Sequence, residues 1–306
     1  MTGKDRQNLY KLFRDQADVL GFSRLTVAAL QAFVNALKVL RCSRAQIFPL
    51  FQELIGVINA SQPHIVPLIH LLEEFEAEIG LFAEKDLETI RTEAMRILEA
   101  KIAKFEKSEN RVVAQGLASV VNGDVILVHS VSTVVRDILV QAYKERGRRF
   151  QVIVLQQDFN KTRQLLKSLD KAALPYKVMP EYTLSHAVRK VTKFFLTAAA
   201  VTSDGNIVVD AGTANIASLC HVEKVPIYLF VNSLKFSHRP SVDQQIHRKE
   251  ERRNRDGLSY DLTTYSHCLV STALLNHIIT EAGEIQPPPS LLLPLEAQEI
   301  PGVATL

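Results

Sequence analysis

The sequence predicts an α/β protein in which an all-helical domain, residues 1–121, precedes a Rossmann-like, doubly wound parallel sheet domain, residues 122–306. Three observations support this prediction. Apolar residues recur with a helical period from residue 8 to about residue 118. After Asn122-Gly123, short β-branched apolar runs alternate with amphipathic segments, as in a parallel sheet with crossover helices. A chain of 306 residues is long enough for two such domains.

The helical part is clearest between residues 86 and 105. Its apolar residues lie three or four positions apart with charged residues between them: Leu87, Ile90, Ala94, Leu98, Ile102 and Phe105. This spacing gives a helix one buried stripe and one solvated face. Asp86 precedes the stripe and is predicted to cap the helix, because a carboxylate is favoured at a helix N-terminus.

The second part reads as strands and helices in alternation. Runs that are apolar at nearly every position predict strands covered on both faces. They are residues 125–128, 152–155, 176–179, 194–198 and 227–231. The predicted crossover helices are residues 133–143, 161–169, 184–191 and 213–222. Residues 201–209 are instead predicted to form a β-hairpin turned by Asp204-Gly205.

Composition places the chain among globular proteins, with 47% hydrophobic and 23% charged residues and a formal charge of +3. This charge is too small to predict a nucleic-acid coat. Neither a secretory leader nor an apolar run long enough for a bilayer is evident, so we expect a cytoplasmic protein without a membrane partner. Cys42, Cys220 and Cys268 are far apart and are expected to be small core residues, with no disulfide, metal or cofactor.

In an open parallel sheet, ligands bind where the strands end, so the residues just after each strand are the candidates for a functional site. This edge is predicted to be poor in charge. The candidates for binding a ligand or phosphate are Ser130, Ser132, Gly212, Thr213, Asn232 and Lys235. The segment 235–239, with Lys235 and Arg239, follows a strand directly and should lie near this edge.

His129 and Ser130 could form a base and nucleophile pair, but neighbours on a strand point to opposite faces. We therefore expect Ser130 or Ser132 to cap the next helix, with His129 packing or hydrogen-bonding locally. Such a helix start could also bind phosphate. The loop has no Gly-x-Gly-x-x-Gly and no Gly-Lys-Ser/Thr, so dinucleotide or Walker-type triphosphate binding is disfavoured.

Residues 210–215 offer a second helix start, where Gly212 permits close backbone approach and Thr213 is predicted to cap the helix. Asp210 would repel an anion there, and a structural turn explains the motif without a ligand. The charge run at residues 247–256 could contact RNA or an acidic protein. A solvated loop or helix is favoured, since Glu250 and Glu251 partly neutralise the run and no aromatic residue interleaves.

Four motifs between residues 124 and 289 resemble one known family, in order and spacing. They are the strand and helix start at 126–135, Asp204-Gly205 with Ala211-Gly212-Thr213, the strand end at 231–236, and residues 279–288. The family comprises the regulatory alpha, beta and delta subunits of translation initiation factor 2B together with methylthioribose-1-phosphate and ribose-1,5-bisphosphate isomerases. The helical first part agrees with the family only in type.

The resemblance implies a dimer formed through the sheet domain and a surface that senses a protein partner, a nucleotide or a sugar phosphate. It also exposes departures, because the catalytic cysteine and aspartate of the isomerases correspond to Ser130 and Ala199. An arginine and a lysine that handle phosphate correspond to Asp158 and Asp210. Losing even one charged phosphate contact costs on the order of 1.5–3 kcal/mol.

The sequence therefore predicts a non-catalytic regulatory or assembly protein similar to an alpha-type subunit, with a degenerate sugar-phosphate pocket. The alternative is a divergent aldose-ketose isomerase in which His129 or Glu181, with Ser130, supplies the proton transfer. A nucleic-acid binder acting through residues 248–255 is the weakest of the three predictions.

Overall fold

The computed structural model of the chain describes residues 21–60, 64–129, 132–156, 159–244, 246 and 248–286. Its α-helices are α1 Phe22–Val39, α2 Arg44–Asn59, α3 Val66–Gly80, α4 Leu87–Gly116, α5 Thr133–Lys144, α6 Phe159–Ala172 and α7 Thr213–Val222. Its strands are β1 Val125–Val128, β2 Gln151–Gln156, β3 Tyr176–Pro180, β4 Lys193–Leu196, β5 Ala200–Val201, β6 Asn206–Asp210, β7 Ile227–Phe230, β8 Arg248–Arg255, β9 Leu258–Tyr265, β10 His267–Ser271, β11 His277–Thr280 and β12 Gly283–Ile285.

The first half is helical, as predicted. Helices α1 to α4 bury their apolar stripes in one core, in which Phe33, Phe51 and Phe75 meet edge to face with ring centroids 5.4–5.7 Å apart. Asp86 caps α4, since its carboxylate accepts a hydrogen bond from the backbone amide of Thr89 at 3.0 Å. The described part of this half ends in a short 3₁₀ turn at Leu117–Ser119.

The second half is built on a seven-stranded sheet with the order β12-β11-β7-β4-β1-β2-β3. All neighbours are parallel except β11 and β12. The parallel strands thus follow a doubly wound order, which confirms the predicted fold class. The order reverses between β1 and β4, and ligands of such sheets bind in the crevice at this point.

A smaller sheet of β10, β6 and β5 stands beside the main one. Strands β5 and β6 are antiparallel, with Ala200 paired to Val208, and they turn through Asp204-Gly205 as predicted. Gly205 has φ 75°, a conformation that glycine adopts at little cost. The strand β4 is shorter than predicted. It ends at Leu196, whereas the predicted strand extended to residue 198.

One predicted helix is wrong. Residues 184–191 form parts of two 3₁₀ turns, Glu181–His186 and Val188–Lys190, instead of a crossover α-helix. Leu184 and Val188 are buried residues of this segment. A helix this short forms too few hydrogen bonds to offset the free-energy cost of helix nucleation. Consequently β3, at the edge of the sheet, is followed by turns that bring Glu181 over the end of β1.

The charge run is also different from the predicted loop or helix. Residues Arg248–Arg255 form β8, which pairs antiparallel with β9. Asp256 and Gly257 both have positive φ, 51° and 80°, and so make the two-residue turn that favours a hairpin. The Asp-Gly signal and the Tyr- and Thr-containing strand after it were present in the sequence.

The cysteines only partly match the prediction. Cys220 lies in the core, where burial raises the pKa of its thiol to about 12, whereas Cys42 and Cys268 are half-buried. The sequence predicts a C-terminal tail of low regularity that begins at Gln286, and residues 287–306 of this tail lie outside the described residues. None of the described helices combines the length and apolar character needed to cross a bilayer.

Candidate functional site at the carboxyl edge of the sheet

His129 directly follows β1 at the crevice, and its side chain is buried. Its Nδ1 lies 2.9 Å from the Thr213 hydroxyl oxygen, and its Nε2 lies 2.6 Å from Oε1 of Glu181. The ring therefore joins the end of β1, the first residue of α7 and the turn after β3. His129 is packed in the interior, which was one of the two roles expected for it, but its hydrogen bonds are not local, since both partners are more than fifty residues away in sequence.

Gly212 permits this arrangement. It is the N-cap of α7 and has φ 91°, in the left-handed region. A Cβ atom at this position would lie 2.6 Å from Oε2 of Glu181, so the carboxylate uses the space that a side chain would fill. The predicted cap was Thr213, but its hydroxyl binds His129, and no side chain of a described residue caps this helix.

The start of α7 is also close to Cys268 on β10. The thiol donates a hydrogen bond to the carbonyl oxygen of Asp210 at 3.3 Å. Burial raises the pKa of Cys268, and the backbone amides of Ala214, Thr213 and Gly212 oppose this rise because they favour a thiolate. The Glu181 carboxylate and the Cys268 thiol thus lie against the N-terminus of α7, which could otherwise attract a phosphate.

Lys235 contributes a buried cation at the same edge, beyond β7. Its side chain is 3% exposed, and Nζ donates a hydrogen bond to the Thr197 hydroxyl, 3.1 Å away, just after β4. Burial lowers the pKa of Lys235, and the negative charge of Glu109 acts in the opposite direction. Lys235 was predicted to lie near the edge, and it does so as an interior group.

Glu109 reaches the site from α4 in the helical half. Burial raises the pKa of its carboxyl, and the charge of Lys235 and a hydrogen bond from the Ser23 hydroxyl partly offset the rise. A partly buried acid and a buried amine, one from each half of the chain, therefore influence each other's ionisation. The edge, which was predicted to be poor in charge, therefore has this pair in addition to Glu181, which the prediction had already placed there.

Asn232 follows β7 and is buried, with 2% of its surface exposed. Neither its amide nitrogen nor its amide oxygen has a hydrogen-bond partner within the described ranges. Buried amides are rarely left unpaired, so a small polar ligand or water is the expected partner. Among the described residues, no three His, Cys, Asp or Glu side chains are grouped as metal ligands.

Two other predicted positions have structural roles in the described chain. Ser132 caps α5, as expected, because its hydroxyl accepts a hydrogen bond from the Val135 amide at 3.2 Å. Ala199 is 6% exposed and packs in a small apolar cluster with Val66 of α3. Ser130 and Asp158 lie outside the described residues.

A family model described as the initiation factor 2 subunit family matches residues 18–287, which is most of the chain. The chain belongs to this family. Its membership confirms the resemblance drawn from the four motifs and extends it over the helical half, where no individual residues could be matched.

Curated members of the initiation factor 2 subunit family support the assignment. A putative translation initiation factor eIF-2B subunit 2-like protein of Pyrococcus furiosus is 28% identical over 201 residues, 63% of this chain and 69% of that protein. The translation initiation factor eIF2B subunit delta of Dictyostelium discoideum is 23% identical over 230 residues. The match spans 74% of this chain but only 37% of the Dictyostelium protein.

Solved structures share the fold. The Pyrococcus horikoshii OT3 translation initiation factor eIF-2B superposes with a TM-score of 0.76 at 22% identity, covering 94% of this chain and 98% of that one. The 5-methylthioribose 1-phosphate isomerase of the same organism gives 0.72 at 15% identity, covering 92% and 85%. A subunit of the tetrameric eIF2B-beta2-delta2 complex from C. thermophilum gives 0.69 at 19% identity. One fold thus serves both an initiation factor and an isomerase.

Sequence reasoning missed Glu109, Ser23 and Thr197. A signal for Glu109 was available, since it lies four residues after Phe105 and three before Val112, both buried on the same stripe of α4. An acidic residue on an apolar stripe predicts a buried partner. Nothing in the sequence indicated that Ser23 would donate a hydrogen bond to Glu109, or that the charge acting on it would be that of Lys235, 126 positions further along the chain.

Proposed function

We propose that this chain is a non-catalytic regulatory or assembly subunit, similar to an alpha-type subunit of translation initiation factor 2B, with a degenerate sugar-phosphate pocket. One observation carries the proposal: the carboxylate of Glu181 occupies the space beside Gly212 and is held there by a 2.6 Å hydrogen bond to His129. A carboxylate at this position repels a phosphate dianion and competes for the same helix start.

Two further observations support the loss of catalysis. Ala199, at the position that the resemblance gives to the isomerase aspartate, has no group that exchanges a proton and packs against Val66. Lys235 is enclosed and donates to Thr197, and burial lowers its pKa. It is therefore poorly placed to bind a phosphate directly.

The proposal includes a homodimer formed through the sheet domain, a cytoplasmic location, and a domain division between residues 121 and 122. The division is supported by the change from the last helical turn, which ends at Ser119, to β1, which begins at Val125. Nucleic acid is not proposed as a partner, because the cations of β8 have acidic neighbours, for example Arg253 with Glu251 at 3.0 Å and Arg252 with Asp261 at 3.5 Å.

The decisive experiment is an isomerase assay. Purified protein is incubated with ribose 1,5-bisphosphate and, separately, with methylthioribose 1-phosphate, and ketose formation is followed by ¹³C NMR. The 5-methylthioribose 1-phosphate isomerase of Pyrococcus horikoshii is the positive control for the second substrate. We expect no ketose from this chain, and ketose formation at an enzymatic rate would overturn the proposal.

The second candidate function, a divergent sugar-phosphate isomerase, is favoured by the same His129–Glu181 contact. A histidine and a carboxylate 2.6 Å apart at a crevice are a suitable pair for moving protons. Under this function, His129→Asn and Glu181→Gln each abolish ketose formation, whereas Val242→Ala, at an exposed position, leaves it intact. Activity that survives both site substitutions would exclude this mechanism.

A further inference from the structure

The β8–β9 hairpin is poorly covered by the rest of the described molecule. Its strands pair with each other in a sheet of their own, and seven of the eight residues in each strand are exposed. An isolated two-stranded hairpin is marginally stable in water, whereas three or more strands with an apolar face are independently stable. The hairpin therefore lacks the additional strand or surface that would stabilise it.

The two free edges of the hairpin differ in charge. Strand β8, RKEERRNR, carries a charge at every position except Asn254. Strand β9, LSYDLTTY, has Asp261 as its one charged residue. Charged side chains protect an edge strand from pairing with another chain, so the edge of β8 is protected and the edge of β9 is open.

Strand β9 also has an apolar face. Side chains alternate along a strand, which places Leu258, Tyr260 and Leu262 on the same face. Leu258 is 71% exposed and Tyr260 is 42% exposed, while Leu262 is half-buried. Large apolar side chains in line beside an open edge are typical of a strand that pairs with another strand.

The turn determines which backbone groups of β9 point outward. Arg255 pairs with Leu258 across the two-residue turn, and such a closing pair is hydrogen-bonded in both directions. Because the pattern alternates, residues 258, 260, 262 and 264 bond to β8, and residues 259, 261, 263 and 265 present their N–H and C=O groups to the free edge.

A two-fold symmetric, antiparallel pairing of β9 with itself includes most of the strand only when it is centred on Asp261 or Leu262, since a centre at Thr263 pairs only residues 261–265. A centre at Asp261 places two carboxylates opposite each other, which is unfavourable. A centre at Tyr260 pairs only residues 258–262 within the strand. A centre at Leu262 pairs residues 259–265, sets Leu262 against its own copy, and aligns Asp261 with the hydroxyl-bearing Thr263 of the second copy.

We propose that the outer edge of β9 is a self-association surface, which pairs antiparallel with β9 of a second copy of this chain about Leu262. The product is a four-stranded sheet in which Leu258, Tyr260 and Leu262 of the two copies lie side by side on the two central strands, with the charged β8 strands outside them. It has more than the two strands that leave the single hairpin marginally stable. This inference rests on the proposed assembly role and names one of its surfaces.

The first test compares Leu262→Lys with the wild type by analytical ultracentrifugation over a wide range of concentrations. Two lysines at the centre repel each other, so the mass of the largest wild-type species is expected to fall by half. Asn254→Lys adds the same charge to the same hairpin on β8 and should leave that mass unchanged. An unchanged mass for Leu262→Lys, an equal fall in both variants, or a monomeric wild type would overturn the inference.

The second test fixes the register. Leu262 and its copy form a non-hydrogen-bonded pair, whose Cα atoms lie about 4.5 Å apart, close enough for a disulfide. Leu262→Cys is therefore expected to give a disulfide-linked dimer on mild oxidation, and Asn254→Cys is not. The wild type, with its own three cysteines, sets the background. Linkage no greater than this background would refute the pairing.

These outcomes are independent of catalysis. Ketose formation would overturn the proposed non-catalytic function and leave the strand pairing intact. Failure of the mass and cross-linking tests would remove the β9 surface while the absence of isomerase activity still stood.

Discussion

Replacing Gly212 by alanine tests whether Glu181 is held tightly at the start of α7. The new Cβ atom would lie 2.6 Å from Oε2 of Glu181 and 3.3 Å from its Cδ, so the carboxylate must move. Movement weakens its 2.6 Å hydrogen bond to His129, and hydrogen bonds to charged groups contribute at most about 1.5–3 kcal/mol, an upper limit here because the Glu181 side chain is 30% exposed. The left-handed backbone, φ 91°, adds roughly 1–2 kcal/mol for any residue with a Cβ atom.

Gly123→Ala is the matched control, since Gly123 has φ 86° and a Cβ atom added there would meet no described atom within 4 Å. It should lose only the backbone part, about 1–2 kcal/mol. Gly212→Ala should therefore lose more free energy of unfolding than the control in urea-induced unfolding, by up to about 3 kcal/mol. In a Glu181→Ala background this difference should largely vanish, as expected for groups in contact. Equal losses for both glycine variants would refute the packing argument.

Three other predictions can be tested with single substitutions or reagents. Gly116→Ala should destabilise the protein by about 1–3 kcal/mol in urea unfolding, because the new Cβ atom would overlap an isoleucine of α5. Its control, Gly80→Ala, places the Cβ atom in open space and should be neutral or stabilising by up to about 1 kcal/mol in the same assay. Burial acts to raise the pKa of Glu74, but hydrogen bonds from Lys101 and a neighbouring lysine outweigh it and the pKa is lowered. The stability from this contact is present above the ordinary carboxyl pKa and lost as pH falls through the folded value, so Glu74→Gln should flatten the acid limb of the stability curve; an unchanged limb would contradict it. Cys220, whose pKa burial raises to about 12, should react with Ellman's reagent only after unfolding, and native-state labelling at this residue by mass spectrometry would show the assignment to be wrong.

The fold could be predicted from periodicity because its elements are strongly patterned. The run at 125–128 matches β1, and the helix at 213–222 matches α7 in both bounds. The helix predicted at residues 184–191 was wrong because two apolar residues at i and i+4 indicate a helix even when the segment is too short to form one. The prediction for the charge run was wrong because its charged composition indicates a solvated segment, and the strand with which it pairs, β9, follows only after the turn.

The site was less predictable because it depends on distant contacts. Position after a strand correctly placed His129, Asn232 and Lys235 at the carboxyl edge, since this follows from the parallel sheet alone. Which groups they meet does not follow from strand order. The contact of His129 with Glu181 requires the turns after β3, and the influence of Glu109 on Lys235 requires the long helix α4 to pack across the sheet.

Ala199 stands at the position that the resemblance gives to the isomerase aspartate, and its side chain is part of the core. Ala199 donates its backbone N–H to Val208 at 2.8 Å, and its methyl group packs with Val66 and Ala200. An aspartate there would bury a carboxylate among apolar side chains, which costs several kcal/mol without a partner. We therefore expect Ala199→Asp to lower the free energy of unfolding and to form no ketose, so that recovering an isomerase requires changes in the helical half as well. A stable, active Ala199→Asp variant would show that the pocket had kept its catalytic shape.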